Sequence, residues 1–200
     1  MIDGVTVRAL TGAELEAALE GVASLRIAVF RDWPYLYDGS LEYERAYLQT
    51  YRDSPGALLV GAFHGDRLVG ASTSTPMEDH AEAFAGPLRQ IGLPVESILY
   101  GAESVLLPAF RGQGAGHVLI AARERHARRL GLRWAVLATY DRAEARPERP
   151  ADWRPLDPFW RARGYRPLMG VGVTVPWVEA GRAGAQGHTL DLWVRDLTAP

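Results

Sequence analysis

The chain of 200 residues contains no lysine, no cysteine and no asparagine, so all 22 of its basic residues are arginine. Without lysine it can form no Schiff-base nucleophile, anchor no pyridoxal group, and build no phosphate loop of the GxxxxGK[ST] kind. Without cysteine it has no disulfide, thiolate nucleophile, zinc ribbon or iron–sulfur cluster, and cysteine usage assigns no redox compartment. No apolar run approaches the roughly 18 residues a membrane helix needs. Residues 1–10 carry two charges and no continuous apolar stretch, which is unlike a signal peptide. The expectation is a cytoplasmic protein without a membrane partner.

What is present is the composition of a soluble globular protein, 48% hydrophobic and 23% charged, at a length that suits one domain spanning 1–200. A net charge of −2 argues against nucleic acid as a partner. The charge is unevenly spread. Residues 111–133 hold six arginines against one acid, Glu124, while the remainder holds sixteen arginines against 23 acids. A basic segment in an otherwise acidic chain suits a compact anionic ligand better than a polyanion.

Alternating residues 5–10 predict a strand, and Thr11 with Glu14 has the spacing of a capping box opening a helix. That helix carries Leu15, Ala18, Leu19, Val22, Leu25, Arg26 and Val29 at helical spacing, with a break expected near Gly21. It stops at Trp33-Pro34. Residues 35–39 read as an aromatic loop, and Ser40 caps a second helix reaching Tyr51. Residues 57–63 and 67–75 flank a turn and form a hairpin. A helix follows over 78–90, interrupted near Gly86-Pro87, then a buried strand over 97–107, a helix over 114–130 and a strand over 132–140. Residues 141–158, with four prolines, form a long loop of the kind that is functional in a compact domain. A short helix over 158–163 and strands over 166–175 and 189–197, joined by a glycine-rich loop, complete a mixed sheet with helices on its faces.

The chemistry concentrates where the buried strand meets the basic helix, in Ser104-Val105-Leu106-Leu107-Pro108-Ala109-Phe110-Arg111-Gly112-Gln113-Gly114-Ala115-Gly116-His117. The first N–H groups of a helix have no internal partner and sit at the positive end of its dipole. Glycines at 112, 114 and 116 clear side chains away from those amides, the arrangement of a pyrophosphate cradle. A tight strand-to-helix turn would also call for glycine. The nicotinamide fingerprint needs GxGxxG and an acid about 20 residues later; this loop has neither.

Arg111-Gly112-Gln113-Gly114-Ala115-Gly116 resembles the [RQ]xxGx[GA] acetyl-CoA loop of the GCN5-related N-acetyltransferases (GNAT). Leu106-Leu107-Pro108 is similar to that family's strand end, and the 159–165 segment FWRARGY resembles its second motif. The resemblance implies a single-domain α/β fold with a mixed, mostly antiparallel sheet, a splayed strand pair and flanking helices. It implies transfer of an acetyl group from acetyl-CoA, without metal, to a small-molecule or peptide amine by direct attack in a ternary complex. The alternative is a non-catalytic acyl-CoA-binding or regulatory module of the same fold; a nucleotide-binding domain is a third reading. A homodimer through the C-terminal strands is compatible with all of these.

On that model Val105, Leu106 and Leu107 would line the pantetheine, with the Leu106 N–H opposite the thioester oxygen. Arg111, Gly112, Gln113, Gly114, Ala115, Gly116 and His117 would surround the pyrophosphate, with the arginine-rich helix adding positive field. Phe159 and Trp160 serve as cofactor contacts or as core. The family often places a tyrosine, proposed to protonate the leaving thiolate, where this chain has Trp160, so Tyr140 is the substitute acid. Glu103, a carboxylate in an apolar strand, is the candidate base, or else the partner of an arginine from a neighbouring strand. Trp33, Tyr35, Tyr37 and Asp38, with Trp153 opposite, form the candidate acceptor pocket, by cation–π and charge contact or simply as a plug over the core. The five histidines lack metal-ligand spacing, and no GxSxG elbow occurs.

Overall fold

The computed structural model describes residues 4–80, 82–142 and 146–199. The order is β1 (Val5–Leu10), α1 (Ala13–Phe30), α2 (Leu41–Asp53), β2 (Leu58–His64), β3 (Arg67–Pro76), α3 (Glu82–Gln90), β4 (Ile98–Leu106), α4 (Ala115–Arg129), β5 (Trp134–Thr139), α5 (Asp157–Ala162), β6 (Arg166–Val178) and β7 (Ala185–Asp196), with short 3-10 turns beside α3 and β4. The strands form one sheet in the order β1-β2-β3-β4-β5-β7-β6, antiparallel except where β4 runs parallel to β5.

Helices cover both faces. On one, α1 and α2 pack Val22, Leu25, Leu48 and Tyr51 against Leu59, Ala71 and Val105. On the other, α4 and α5 bring Ile120, Ala127 and Trp160 onto Leu99, Ala135, Leu137 and Trp193. The α3 side carries Leu88 over Ile98, Tyr100, Val136 and Leu192.

Several local expectations give way. Thr11 does not cap α1: the cap is Gly12, with φ 53°, and Glu14 pairs with Arg8 at 2.8 Å instead. Gly21 does not break α1; it is a packing position, where a Cβ would lie 3.1 Å from Cδ2 of Leu68 in β3. The helix expected from 78 starts at Glu82, after a separate 3-10 turn, and runs through Pro87. The last two strands extend to Val178 and back to Ala185, so the connecting turn is shorter than the glycines suggested. Ser40 does cap α2, accepting from the Tyr43 N–H at 3.2 Å.

Two irregularities in β4 shape the site. Ser72 pairs with Ser104 and Ser74 with Gly101, so Ala102 and Glu103 together oppose Thr73. This bulge turns Glu103 onto the α1/α2 face. Pairing with β5 ends at Gly101 and Leu137, although both strands continue. Beyond that point the strands part, the splayed pair expected from the sequence.

Candidate active site

The gap between the parted strands has a polar edge. The Leu107 N–H donates to the Val69 carbonyl at 3.0 Å, and antiparallel bonding alternates. The N–H and C=O groups of Ser104 and Leu106 are therefore turned toward the gap. Val105 and Leu107 are not: Val105 is buried in the α1/α2 core, and the Leu107 amide is committed to β3. At the head of the gap lies Arg123 of α4, 4% exposed, its Nη1 donating to the Glu103 carbonyl at 3.4 Å. It lies across Gly101, where a Cβ would come within 2.5 Å of its Cζ. Burial pulls its pKa below the ordinary arginine value.

At the other end of the gap the loop climbs to α4. Gly112 (φ 75°) and Gly114 (φ 90°) hold left-handed conformations, and Gly114 is the N-cap. A Cβ at 112, 114 or 116 would meet no protein atom within 4 Å. The space beside these amides is open, and no acid stands in the first turn. The site fits a pyrophosphate.

Arg111 turns back to donate through Nε to the Leu106 carbonyl at 2.9 Å, and Gln113 donates to the Ala109 carbonyl at 3.2 Å. Ala115 is buried beneath the turn. His117 is exposed beside Phe159, ring centroids 4.8 Å apart, and lies 3.3 Å from Arg163 Nη1. The rest of the basic segment points elsewhere. Arg125, Arg128 and Arg129 line a separate cavity along β1 and β2, and Arg133 pairs with Asp196 at 2.7 Å. The charge run thus overstated the field at the cradle, whereas Arg163, which the sequence reading passed over, stands near it. Trp160 is buried among Leu137, Tyr165 and Trp193 rather than facing the gap.

Glu103 sits on the opposite face with its side chain 1% exposed. Arg26 Nη1 donates to its Oε2 at 2.6 Å, and the Tyr47 and Tyr51 hydroxyls donate to the same oxygen at 3.1 and 3.5 Å. Oε1 has no partner. The guanidinium of Arg26 is shared with Glu44 of α2, itself fully buried. Burial alone would lower the pKa of Arg26, but Glu103, Tyr47 and Glu44 raise it well above its usual value. Burial, with Glu103 next, raises Tyr47 and Tyr51 in turn. Two carboxylates share one guanidinium here. Arg26 lay in the apolar row of α1, which was the available signal; Glu44 offered none.

The aromatic loop is folded inward. Trp33 is 8% exposed, edge-on to Trp153 at 6.3 Å. Tyr35 packs between Phe30 and Trp177, and burial raises its pKa to about 12. Tyr37 is likewise raised, by burial first and then by its hydrogen bond to Glu44. Asp38 pairs with Arg31 at 2.7 Å. Tyr140, just beyond β5, stands 5.7 Å from Tyr35 ring to ring and 3.1 Å, oxygen to Nδ1, from His188. The 141–158 loop lies partly outside the described residues (143–145); Trp153 reaches this wall, while Arg154 turns to its neighbour's carbonyl. Among the described residues no group of His, Asp and Glu is arranged to hold a metal, and no helix is long and apolar enough to cross a membrane.

A sheet parted at its parallel pair, with a glycine-rich helix start at the mouth of the gap, is the acyl-CoA-dependent acetyltransferase fold. The model of the acetyltransferase (GNAT) family matches residues 22–147, more than half of the chain, and the chain belongs to that family. No curated protein matches the sequence closely enough to count as a relative. Among solved structures, it is similar to the Salmonella typhimurium protein yncA, solved with its cofactor acetyl-CoA (13% identity, 96% of this chain and 94% of that one, TM-score 0.61). It is also similar to ribosomal-protein-alanine N-acetyltransferase from Brucella melitensis (14%, 96% and 99%, TM-score 0.61) and to an N-acetyltransferase from Staphylococcus aureus Mu50 (11%, 96% and 98%, TM-score 0.60). At these identities the likeness is one of fold.

Proposed function

We propose that the protein transfers an acetyl group from acetyl-CoA to an amine by direct attack. The observation that carries this reading is the parting of β4 from β5 beyond Gly101 and Leu137, with the open glycine cradle at its end. Acetyl-CoA supplies the thioester; the chain's residues position it and move protons. Amides 112–116 hold the pyrophosphate, with His117, Phe159 and Arg163 beside it. The Ser104 and Leu106 backbone edge holds the pantetheine arm, and the Leu106 N–H serves as donor to the thioester oxygen.

The amine approaches from the α1/α2 face, where the bulge presents Glu103. As the C–N bond forms and the C–S bond breaks, the amine's proton goes to Glu103, directly or through the Tyr47 hydroxyl. Tyr140 delivers a proton to the leaving thiolate and recovers one from solvent once the thiol departs. Without cysteine an acyl-cysteine detour is closed, which favours the ternary complex. A non-catalytic acyl-CoA-binding module would share the cradle and keep Glu103 only as the counter-charge of Arg26.

Thiol release on an amine panel tests the reading. Glu103→Gln is expected to lower kcat by about two to four orders of magnitude, the range of general-base catalysis, with acetyl-CoA affinity within a few-fold of wild type. A pH–rate profile unchanged by this variant removes Glu103 from the mechanism.

A further inference from the structure

A second polar cavity, about 340 Å³, opens on the acceptor side and is lined by Tyr140, Asp141, Arg142, Arg182, Gln186 and His188, with Glu179 at its base. Glu179 has a side chain 3% exposed and closes the loop after α1 against the β6–β7 turn. Both of its oxygens are already satisfied: Arg142 Nη2 donates to Oε1 and Arg146 Nη1 to Oε2, the latter at 2.9 Å. A third guanidinium, Arg182, then stands 3.3 Å from an oxygen that is taken, with half its side chain in solvent. Among the described residues its charge is surplus to what Glu179 needs.

His188 forms another wall. It is buried, stacked on Trp177 with centroids 3.7 Å apart, and its Nε2 has no hydrogen-bond partner among the described residues. When the Tyr140 hydroxyl donates to Nδ1, the proton of a neutral imidazole lies on Nε2, a donor. Among the described residues the rim carries one acid, the exposed Asp141, next in sequence to Tyr140 at the end of β5. The cavity thus pairs an anion-seeking wall with a cation-seeking rim beside the gap.

We propose that this cavity is a specificity subsite binding a carboxylate of the acceptor, so that the acceptor is an amine carrying a carboxylate, as in an amino acid or an acidic peptide. This rests on the transfer reading. Arg182 and His188 hold the carboxylate, and Asp141 draws the ammonium toward the gap. A planar monoanion matches one surplus guanidinium and a single imidazole donor, whereas a phosphate dianion would be left half compensated.

The test has two arms. In the first, N-acetyl amino acids and their carboxamides are titrated against the protein with coenzyme A and binding is read by ligand-observed NMR, which needs no turnover. The free acids are expected to bind at least tenfold tighter than the amides, and Arg182→Gln to shrink that ratio at least tenfold. Equal binding of acid and amide, or an unchanged ratio in Arg182→Gln, overturns the inference. In the second arm, acetyl-CoA turnover is compared for amino acids, their amides and aspartyl peptides, which separates the free amino acid from the peptide. Carboxylate-dependent binding with no thiol release from any amine leaves this subsite standing and sinks the transfer reading. Turnover of neutral amines that no carboxylate improves sinks the subsite alone.

Discussion

His80 has a ring nitrogen with no hydrogen-bond partner among the described residues. Its ring packs on Tyr100 and Phe84, centroids 4.5 and 5.0 Å apart, and Nδ1 is the buried atom concerned. Desolvation lowers its pKa from 6.5 to about 4. The unfolded chain therefore takes up a proton near pH 6.5 that the folded chain refuses until about 4, so folding stability is full above that window and falls as pH drops through it. The loss is roughly 3 kcal/mol across the window, about 2 kcal/mol of it by pH 5. Urea unfolding at pH 7 and pH 5 should show this loss, and His80→Phe, which keeps the aromatic packing, should remove most of it. An unaltered pH slope in that variant assigns the acid sensitivity to other groups. At this scale the sequence was informative about kinds of residue but not about partners. Glu103 stood out because a carboxylate in an apolar strand must be paired or used. Its partner came from α1, 77 positions away, rather than from a neighbouring strand. Nothing local encodes such a meeting.

Elements were legible where one periodicity held over many residues, as in the hairpin of β2 and β3 and in α4. They were misread where a single residue had two explanations. Gly21 looked like a helix breaker and is a packing contact, while Thr11 looked like a cap beside a glycine that takes the role. The bulge in β4 had no signature, because an extra residue in a strand leaves composition unchanged. The glycine loop was the clearest element-level signal, and its geometry permits a test with opposed signs. Gly116 is the second residue of α4, and a Cβ there would meet open space. Gly116→Asp places a carboxylate at the positive end of the helix dipole, which should stabilise the fold by about 0.3–1 kcal/mol. The same carboxylate repels a pyrophosphate and occupies its space. The expected pair of results is a melting temperature equal to or above wild type with acetyl-CoA affinity at least tenfold weaker by calorimetry. Retained affinity would place the phosphates elsewhere.

Across the whole molecule, the N-terminal loop after α1 and the C-terminal hairpin must meet for the acceptor side to exist. Sequence pattern gave no hint of that meeting, since it joins segments more than 100 residues apart. Backbone bonds make part of it, from the Asp38 N–H to the Val178 carbonyl at 2.8 Å and from the Ala180 N–H to the Leu36 carbonyl at 2.7 Å. The Trp177 indole donates to the Tyr35 carbonyl, and Arg142 Nε donates to the Pro34 carbonyl. Glu179 is the charge these contacts enclose. Burial raises its pKa, and the hydrogen bonds from Arg142 and Arg146 outweigh burial, so the net shift is downward from 4.5. Its contribution is therefore present at neutral pH and is lost as pH falls through the lowered folded value. Removing it leaves Arg142, its side chain 5% exposed, without its carboxylate partner, and breaking a buried pair from one side costs about 3 kcal/mol or more. Glu179→Ala should lower the melting temperature and raise KM for the acceptor while acetyl-CoA affinity, set at the far end of the gap, changes less. Glu179→Gln, which keeps the shape and loses the charge, separates the two contributions: an acceptor KM that rises as far as in Glu179→Ala assigns the effect to charge. A KM for acetyl-CoA that moves in parallel with that for the acceptor would mean that Glu179 supports the sheet as a whole rather than the acceptor side.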